Sequence, residues 1–209
     1  MMDFAIDVPT VQELIDAHRV YADKELRGTD EYSNALQGVE QGFRESNLSV
    51  TAKAIATLLK SWNKNYYRFH PAKKTLLEPD VKQLIDSNLE VLKSIRGRSI
   101  TSITRADRVV VLRLFVGFAK TLGPVGSAKA LNLIAPSFFP LWDDSIAYRY
   151  GVGLTSIGYA MFMLISEFQV EALIGTLPDG LAPLKAIDEF NYSKYTKDWL
   201  GVRLAEKNA

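Results

Sequence analysis

Apolar residues recur at helical spacing along nearly the whole chain, and this feature most constrains the fold. Val11, Leu14, Ile15, His18 and Tyr21 follow the spacing of one helix face. Similar patterns occupy about residues 30–44, 49–70, 78–95 and 104–122, and others begin near residues 127, 143, 155, 181 and 193. Only VVVLRLFV at 109–116 could form a buried strand, and no other segment offers it a partner. The sequence therefore predicts an all-α fold of about eight to ten helices.

The length of 209 residues is enough for a buried core in one domain or in two small lobes. No low-complexity tract and no repeat at a solenoid period is present. We predict a single all-α unit over residues 1–209, with two lobes as the alternative. The first lobe would cover about residues 1–100 and carry basic and aromatic residues, and the second would cover about residues 101–209 and contain a helical hairpin.

The residue types exclude several kinds of chemistry. With no cysteine, the chain has no disulfide, no thiolate nucleophile and no cysteine-bound zinc. The two histidines, His18 and His70, are too far apart in sequence to suggest a metal site. The glycine-rich segment GVGLTSIG at 151–158 follows no predicted strand, which argues against dinucleotide binding. The sequence therefore predicts no metal and no cofactor.

The N-terminal segment and the longest apolar run bear on the cellular location of the protein. MMDFAIDVPT carries acids where a signal peptide has basic residues followed by an apolar run. The apolar run at 109–119 is interrupted by Arg113 and is shorter than a bilayer requires. We therefore expect an intracellular protein with no membrane partner, either cytoplasmic or associated with the nucleoid.

A net charge of +1 conceals an uneven distribution along the chain. Residues 1–47 hold ten acids and four bases, residues 48–129 hold fifteen bases and five acids, and residues 130–209 hold six bases and nine acids. The basic middle would suit a surface that faces phosphates, because affinity for nucleic acid begins with Lys and Arg neutralising them. The alternative is that acidic and basic segments meet in the fold and cancel.

The segment LGPVGSAKA at 122–130 predicts a turn between two helices. Four of its residues fit the helix-hairpin-helix pattern: Leu122, Val125, Gly126 and Ala130. Pro124 stands where the first hairpin glycine belongs, with Gly123 displaced by one, so the turn geometry must differ. Backbone N–H groups and the positive end of the second helix would form a phosphate site. Its contact candidates are Gly123, Val125, Gly126, Ser127 and Lys129.

A second motif follows in FFPLWDDSI at 138–146, where a proline-containing loop ends in Asp-x-x-apolar at a predicted helix start. Asp143 fits this pattern with Ile146 three residues on, and Asp144 is the second choice. The hairpin and the loop together resemble the helix-hairpin-helix DNA glycosylase superfamily over about residues 105–165. The resemblance implies a multi-helix globular fold that extrudes a base from duplex DNA and cleaves its N-glycosidic bond.

The resemblance also implies roles for individual residues. Asp143 would stabilise the positive charge that develops on the sugar as the base departs. Bifunctional members carry a nucleophilic lysine two residues after the second hairpin glycine. That place is Ala128 here, and Lys129 lies about 100° further round the helix. A monofunctional reaction with water is favoured, and Lys129 is the alternative nucleophile. The segment from Gly126 to Asp143 is shorter than expected for the family, which predicts a narrow or absent pocket.

A purely structural interpretation accounts for much of the same segment. Asp143 or Asp144 would cap the helix that follows, because acids are favoured at that position. The neighbouring apolar residues would then fill the core: Phe138, Phe139, Leu141 and Trp142.

A cluster of basic and aromatic residues, LLKSWNKNYYRFHPAKK at 58–74, contains five bases and no acid. Aromatic faces stack on exposed bases while cations hold phosphates, so the cluster suits an extruded nucleotide. Trp62 and Tyr66 share an apolar stripe and are predicted to be core residues. The contact candidates are Tyr67, Arg68, His70, Lys73 and Lys74. The alternative is a helix end with a solvated basic cap.

A third basic run surrounds GRSITSITR at 97–105, where Arg96 and Arg98 are further phosphate contacts. Three functions follow from these patterns. The first is a DNA-binding base-excision glycosylase, which uses Asp143 and has duplex DNA as its partner. The alternatives are a non-catalytic nucleic-acid-binding module and a helical protein–protein interaction domain.

Overall fold

The computed structural model describes residues 8–25 and 31–201. This part of the chain is all helical, with ten α-helices and no strand, which confirms the all-α prediction. The helices are α1 (Val11–Glu25), α2 (Glu31–Arg44), α3 (Leu48–Trp62), α4 (Lys64–Phe69), α5 (Pro71–Ser87), α6 (Leu89–Ile95), α7 (Arg105–Ile134), α8 (Asp144–Arg149), α9 (Ser156–Leu173) and α10 (Pro183–Asn191). A 3₁₀ turn covers Ile100–Ser102, and a π turn covers Tyr192–Thr196.

The helices pack around one continuous apolar core that contains residues from both halves of the chain. Helix α2 packs on α3 and α3 on α5, while α1 packs against α10 near the other end of the chain. Helix α7 contacts α2, α3, α5 and α9, so it joins the N-terminal helices to the C-terminal ones. Its Phe115 ring stacks on Tyr159 of α9 with 4.0 Å between ring centroids. Both rings are fully buried, as core aromatics are in a close-packed interior.

Helix α7 begins with a capping box and bends at a glycine. The Thr104 hydroxyl accepts from the Asp107 N–H, and the Asp107 carboxylate accepts from the Thr104 N–H, which satisfies free backbone donors. Gly123 has φ 73° and ψ 166°, a non-helical conformation with a φ that favours glycine. The predicted hairpin is therefore a sharp break in α7, with Pro124 starting its second part.

In the described part of the chain, α7 is the one helix that has the length and apolar composition to cross a membrane. This is weak evidence, since the core helix of a soluble protein passes the same test. Arg113 and Lys120 are exposed on it, and its path breaks at Gly123.

Several helix boundaries differ from the sequence-based expectation. Helix α3 begins at Leu48 and is capped by Asn47, whose side chain accepts from the Val50 N–H, whereas the predicted pattern begins at residue 49. Helix α5 begins at Pro71 and includes Pro79, where the sequence predicts a new start. The reason is tertiary packing, because Leu77, Val81 and Ile85 of this helix are all buried in the core.

The last described residues also differ from the expectation of a helix that begins near residue 193. The π turn occupies Tyr192–Thr196 instead, and the Lys197 N–H donates to the Tyr192 carbonyl. Residues 202–209 lie outside the described residues. The π turn places Thr196 beside the start of α8, where its hydroxyl donates to Asp143.

Candidate functional site

A cavity of about 1040 Å³ lies where the bend of α7 meets four other parts of the fold. These parts are the junction of α3 and α4, the loop that leads into α8, helix α10 and the π turn. A cavity is therefore present where the short spacing of the motifs predicts a narrow or absent one. Its volume is sufficient for a small organic ligand or a nucleotide unit.

The bend of α7 forms one wall of this cavity. The Ser127 hydroxyl donates to the Gly123 carbonyl at 2.7 Å, which fixes the start of the second part of α7. The Tyr66 ring lies 3.7–3.9 Å from where a Cβ atom on Gly123 would stand. A Cβ atom on Gly126 would lie 3.2 Å from that of Leu122 and 3.5 Å from the Asn63 side-chain nitrogen. Both glycines therefore lie in contact with the α3–α4 junction, and Gly123 is required for its positive φ rather than for space.

Lys129 is the most perturbed cation at this site. Its Nζ donates to the Asn63 side-chain oxygen at 2.6 Å and lies 5.5 Å from the centroid of the Trp62 ring. Burial lowers the pKa of Lys129 to about 8, against the raising effect of Asp143 and Asp144. A substantial fraction of this amine is therefore neutral near pH 8, as a nucleophilic amine must be.

The two adjacent aspartates at the start of α8 have different environments. Asp143 is the N-cap residue, and its Oδ1 accepts from the Ile146 N–H at 2.9 Å. Its Oδ2 accepts from the Thr196 hydroxyl at 2.7 Å. Asp144 is exposed and makes no hydrogen bond within the described part of the chain. The structure therefore fixes the geometry of Asp143 at both oxygens and leaves Asp144 to the solvent at the cavity.

Aromatic residues of α3 and α4 form a second wall. Trp62 stacks on Tyr32, with ring centroids 5.7 Å apart and planes within 11°. Both Trp62 and Tyr66 are only partly buried and line the cavity, whereas the sequence predicts them as core residues. Tyr66 also receives a hydrogen bond from Lys73 Nζ at 2.9 Å and stacks on His70. These aromatic faces lie beside the bend and can meet a flat ligand.

The sequence patterns miss a second acidic pair, Asp188 and Glu189 on α10, which also lines the cavity. Glu189 is 4% exposed and accepts from His18 at 2.7 Å and from Lys185 at 3.0 Å. Asp188 is 5% exposed, and its Oδ1 accepts from the Leu141 N–H at 3.1 Å. Burial raises the pKa of the Asp188 carboxyl well above its ordinary value, and Glu189 adds to this. The sequence does contain one signal for this pair: the two acids stand between the apolar residues Ile187 and Phe190.

The other contact candidates have mixed environments. Tyr67 is 2% exposed, so in this structure neither face of its ring is open to a base. Ser127 is fully buried and bonded to Gly123, while Val125 is only partly buried and lines the cavity. Arg68 and Lys74 are exposed and have no ion-pair partner among the described residues. The Arg68 guanidinium lies 4.8 Å from the centroid of its exposed neighbour Phe69.

The third basic run is paired with acids in the fold. Arg96 forms an ion pair with Glu40, and Arg98 forms a bidentate pair with Asp107 at 3.1 and 2.7 Å. The pKa of Asp107 is consequently lowered, first by Arg98 and then by the Thr104 backbone N–H. Here acidic and basic segments meet and cancel, as the alternative interpretation of the charge pattern expects. Among the described residues, two exposed lysines without an ion pair line the cavity: Lys64 of the cluster at 58–74, and Lys197 after the π turn.

The fold and the site together define an all-α protein with a cavity that combines an amine, carboxylates and aromatic faces. No family model, no curated protein and no solved structure matches the chain. Its function is therefore inferred from the geometry of this cavity.

Proposed function

We propose that this chain is a DNA-binding protein of the glycosylase type, which accepts an extruded nucleotide in the cavity and breaks its N-glycosidic bond. One observation carries the proposal: Lys129, with a pKa lowered to about 8, and two aspartates line one cavity beside the bend of α7. Extrusion is required because the glycosidic carbon cannot be reached within a stacked duplex.

The placement of Lys129 favours the amine over water as the nucleophile. The neutral Nζ attacks C1′ and forms an N–C bond, while the C1′–N bond breaks and its electron pair leaves with the base. The base takes up a proton, and the attached nitrogen loses one. Asn63 accepts one N–H of the lysine at 2.6 Å and so orients the amine.

The aspartates supply the electrostatic part of the reaction. Positive charge develops on the sugar as the bond to the base breaks, and a fixed carboxylate stabilises it. Asp143 suits this role because two hydrogen bonds hold its carboxylate in place. Asp144 is exposed at the same edge and adds negative charge there.

The surface beside the cavity supplies the DNA contacts. Lys64 and Asn65 line the cavity edge next to Tyr66, and Lys73 lies within hydrogen-bond distance of the Tyr66 hydroxyl. Cations at this edge suit the phosphates on either side of an extruded nucleotide. The Trp62 ring suits stacking against the base once it has entered.

Trapping with borohydride tests the enzymatic proposal. The protein is incubated with duplex DNA containing an abasic site and then reduced, which makes an amine–sugar adduct permanent. We expect an adduct whose yield rises with pH through about 8, since the neutral amine fraction rises there. Lys129→Gln should abolish the adduct, whereas Lys120→Gln, an exposed lysine on the same helix, should leave it unchanged.

The other outcomes separate the alternatives. Base release from damaged duplexes without an adduct would assign the nucleophile to water and remove Lys129 from that role. Salt-sensitive DNA binding without release of any base would indicate a non-catalytic nucleic-acid-binding module. Absence of binding even at low salt would overturn the DNA-related function altogether.

An exposed apolar stripe favours a second candidate function, protein–protein interaction. Helix α9 presents Ile157, Met161, Leu164 and Phe168 at helical spacing, each between 45% and 69% exposed. Contiguous exposed apolar surface marks interaction sites more often than isolated residues do. Sedimentation analysis over a range of concentrations tests association between copies of the chain. If the chain forms an oligomer, Phe168→Asp should convert it to a monomer. If the unmodified protein is itself monomeric at every concentration, self-association through this stripe is overturned.

A further inference from the structure

Asp188 is a buried acid that the proposed cleavage does not use. It is 5% exposed and lines the cavity from α10. Its only hydrogen bond in the described part of the chain runs from the Leu141 N–H to Oδ1 at 3.1 Å. A carboxylate accepts about four hydrogen bonds when both oxygens are satisfied. Oδ2 therefore has no hydrogen-bond partner in the described part of the chain.

A structural role alone does not account for this arrangement. Burial of an acid with a single hydrogen bond is costly, because the group loses water without full replacement. Glu189, the next residue, shows the satisfied alternative with two side-chain partners, His18 and Lys185. Because one carboxyl oxygen of Asp188 has no partner among the described residues, we expect a ligand that binds in the cavity and carries hydrogen-bond donors.

Lys185 provides a donor one helical turn before Asp188. Its Nζ donates to Glu189 Oε1 at 3.0 Å and lies 4.9 Å from the Tyr21 ring centroid and 5.1 Å from that of Tyr32. An ammonium group has three N–H donors, so two remain after the bond to Glu189. Lys185 also lines the cavity and is partly exposed. Helix α10 thus offers acceptors and a donor side by side.

We propose that Asp188 and Lys185 recognise the Watson–Crick edge of a guanine-type base. This edge presents two adjacent donors, N1–H and the 2-amino group, followed by an acceptor at O6. Asp188, in its ionised form, accepts from the two donors, and Lys185 donates to O6. Adenine reverses the pattern, because it has an acceptor at N1 and an amino group at C6. The inference rests on the proposed function, since it requires that the cavity take an extruded nucleotide.

The test uses four duplexes that differ at one position: an abasic-site analogue, and unpaired deoxyguanosine, deoxyinosine or deoxyadenosine. An unpaired nucleotide is chosen because it costs little to extrude. Dissociation constants are measured by fluorescence anisotropy at fixed salt. Binding to the abasic analogue tests the proposed function alone, since it contains no base. Deoxyinosine differs from deoxyguanosine only in lacking the 2-amino group, so this pair tests Asp188.

We expect the wild-type protein to bind the deoxyguanosine duplex about 10-fold more tightly than the deoxyinosine duplex. In Asp188→Asn this preference should disappear, because the amide replaces one acceptor by a donor. Asp179→Asn, which removes an exposed acid away from the cavity, should keep it. Lys185→Met is a second variant, and it should reduce the preference for deoxyinosine over deoxyadenosine because it removes the donor to O6.

The outcomes distinguish the two levels of the proposal. Equal affinity of the wild type for the deoxyguanosine, deoxyinosine and deoxyadenosine duplexes, with tight binding to the abasic analogue, would overturn base recognition and leave the glycosylase proposal standing. A preference for deoxyguanosine that survives both Asp188→Asn and Lys185→Met would overturn the assignment of these residues. Loss of all binding, including that to the abasic analogue, would overturn the proposed function and the inference together.

Discussion

Two pairs of adjacent acids line the same cavity in opposite environments. Asp143 and Asp144 lie at the start of α8, where one oxygen of Asp143 caps the helix and Asp144 is exposed. Asp188 and Glu189 lie within α10 and are almost fully buried. Asp143 in the first pair is held by a backbone and a hydroxyl donor, while Glu189 in the second is held by the side chains of His18 and Lys185, which lie on different helices.

The contrast shows how position in a helix sets the chemistry of an acid. At a helix start, the free N–H groups and the positive end of the helix dipole stabilise the ionised form. Within a helix the backbone donors are already used, so a buried acid depends on other side chains. Asp188 has only the Leu141 N–H, and burial raises the pKa of its carboxyl. For this reason we propose charge stabilisation for the first pair and ligand recognition for the second.

Replacement of Asp143 by Asn should have the largest effect, and it concerns activity. Asn caps helices as well as Asp, so the fold should retain its stability. The rate of base release should fall about 100- to 1000-fold, because the fixed negative charge is lost. Single-turnover cleavage of a damaged duplex measures it. If Asp144→Asn reduces the rate more than Asp143→Asn, the roles within the first pair are exchanged.

Replacement of Glu189 by Ala should destabilise the fold by about 2–3 kcal/mol, since two charged hydrogen bonds are lost. The loss stays below that of a fully buried ion pair because His18 and Lys185 are partly exposed. Urea denaturation at neutral pH provides the measurement. Asp144→Ala, in the exposed member of the first pair, should change stability by less than about 0.5 kcal/mol. Equal losses would contradict the contrast between the two pairs.

The pH dependence of the free energy of unfolding should show the raised pKa of the Asp188 carboxyl. Its pKa is higher in the folded state than in the unfolded chain, so the folded state binds more protons and its contribution is lost as pH rises. Asp188→Asn should therefore gain stability relative to wild type above the ordinary aspartate pKa of about 4. The slope can reach about 1.4 kcal/mol per pH unit for one proton. A stability difference that does not vary from pH 4 to 8 would contradict the raised pKa.

Replacement of Thr196 by Val should have the smallest effect, a loss of about 1 kcal/mol, because it removes one hydroxyl that donates to Asp143 Oδ2. Activity should also fall, since the carboxylate is then held at only one oxygen. Thermal denaturation and the cleavage assay measure the two effects. Thr57→Val, whose hydroxyl bonds within α3 on the exposed surface, is the control and should change neither by much.

The sequence predicted the helical class and the elements that lead to the first acidic pair. Helical spacing is a local property, and the buried faces of α2, α3 and α7 follow from it. Asp143 as a helix cap is also local, because the acid and the N–H it accepts from are three residues apart. The turn between two helices at Gly123 was predicted from glycine and proline alone, and Gly123 does separate two helical parts of α7.

Partners that are distant in the chain could not be predicted in the same way. The bond from Lys129 to Asn63 joins residues 66 apart, and that from His18 to Glu189 joins residues 171 apart. No periodicity encodes such pairs, because they depend on how helices pack against one another. The same holds for Trp62 and Tyr66, which pack against the core from their apolar stripe and also line the cavity.

The sequence by itself determined an all-α chain with a glycine-centred break and a capped helix start, since these features depend on neighbours within one helical turn. Only the tertiary structure decided that Lys129 is buried enough to lower its pKa to about 8. It also decided that Asp188 lines the same cavity as Asp143. The physical reason is that burial and electrostatic environment are properties of the packed interior, to which every helix around the cavity contributes.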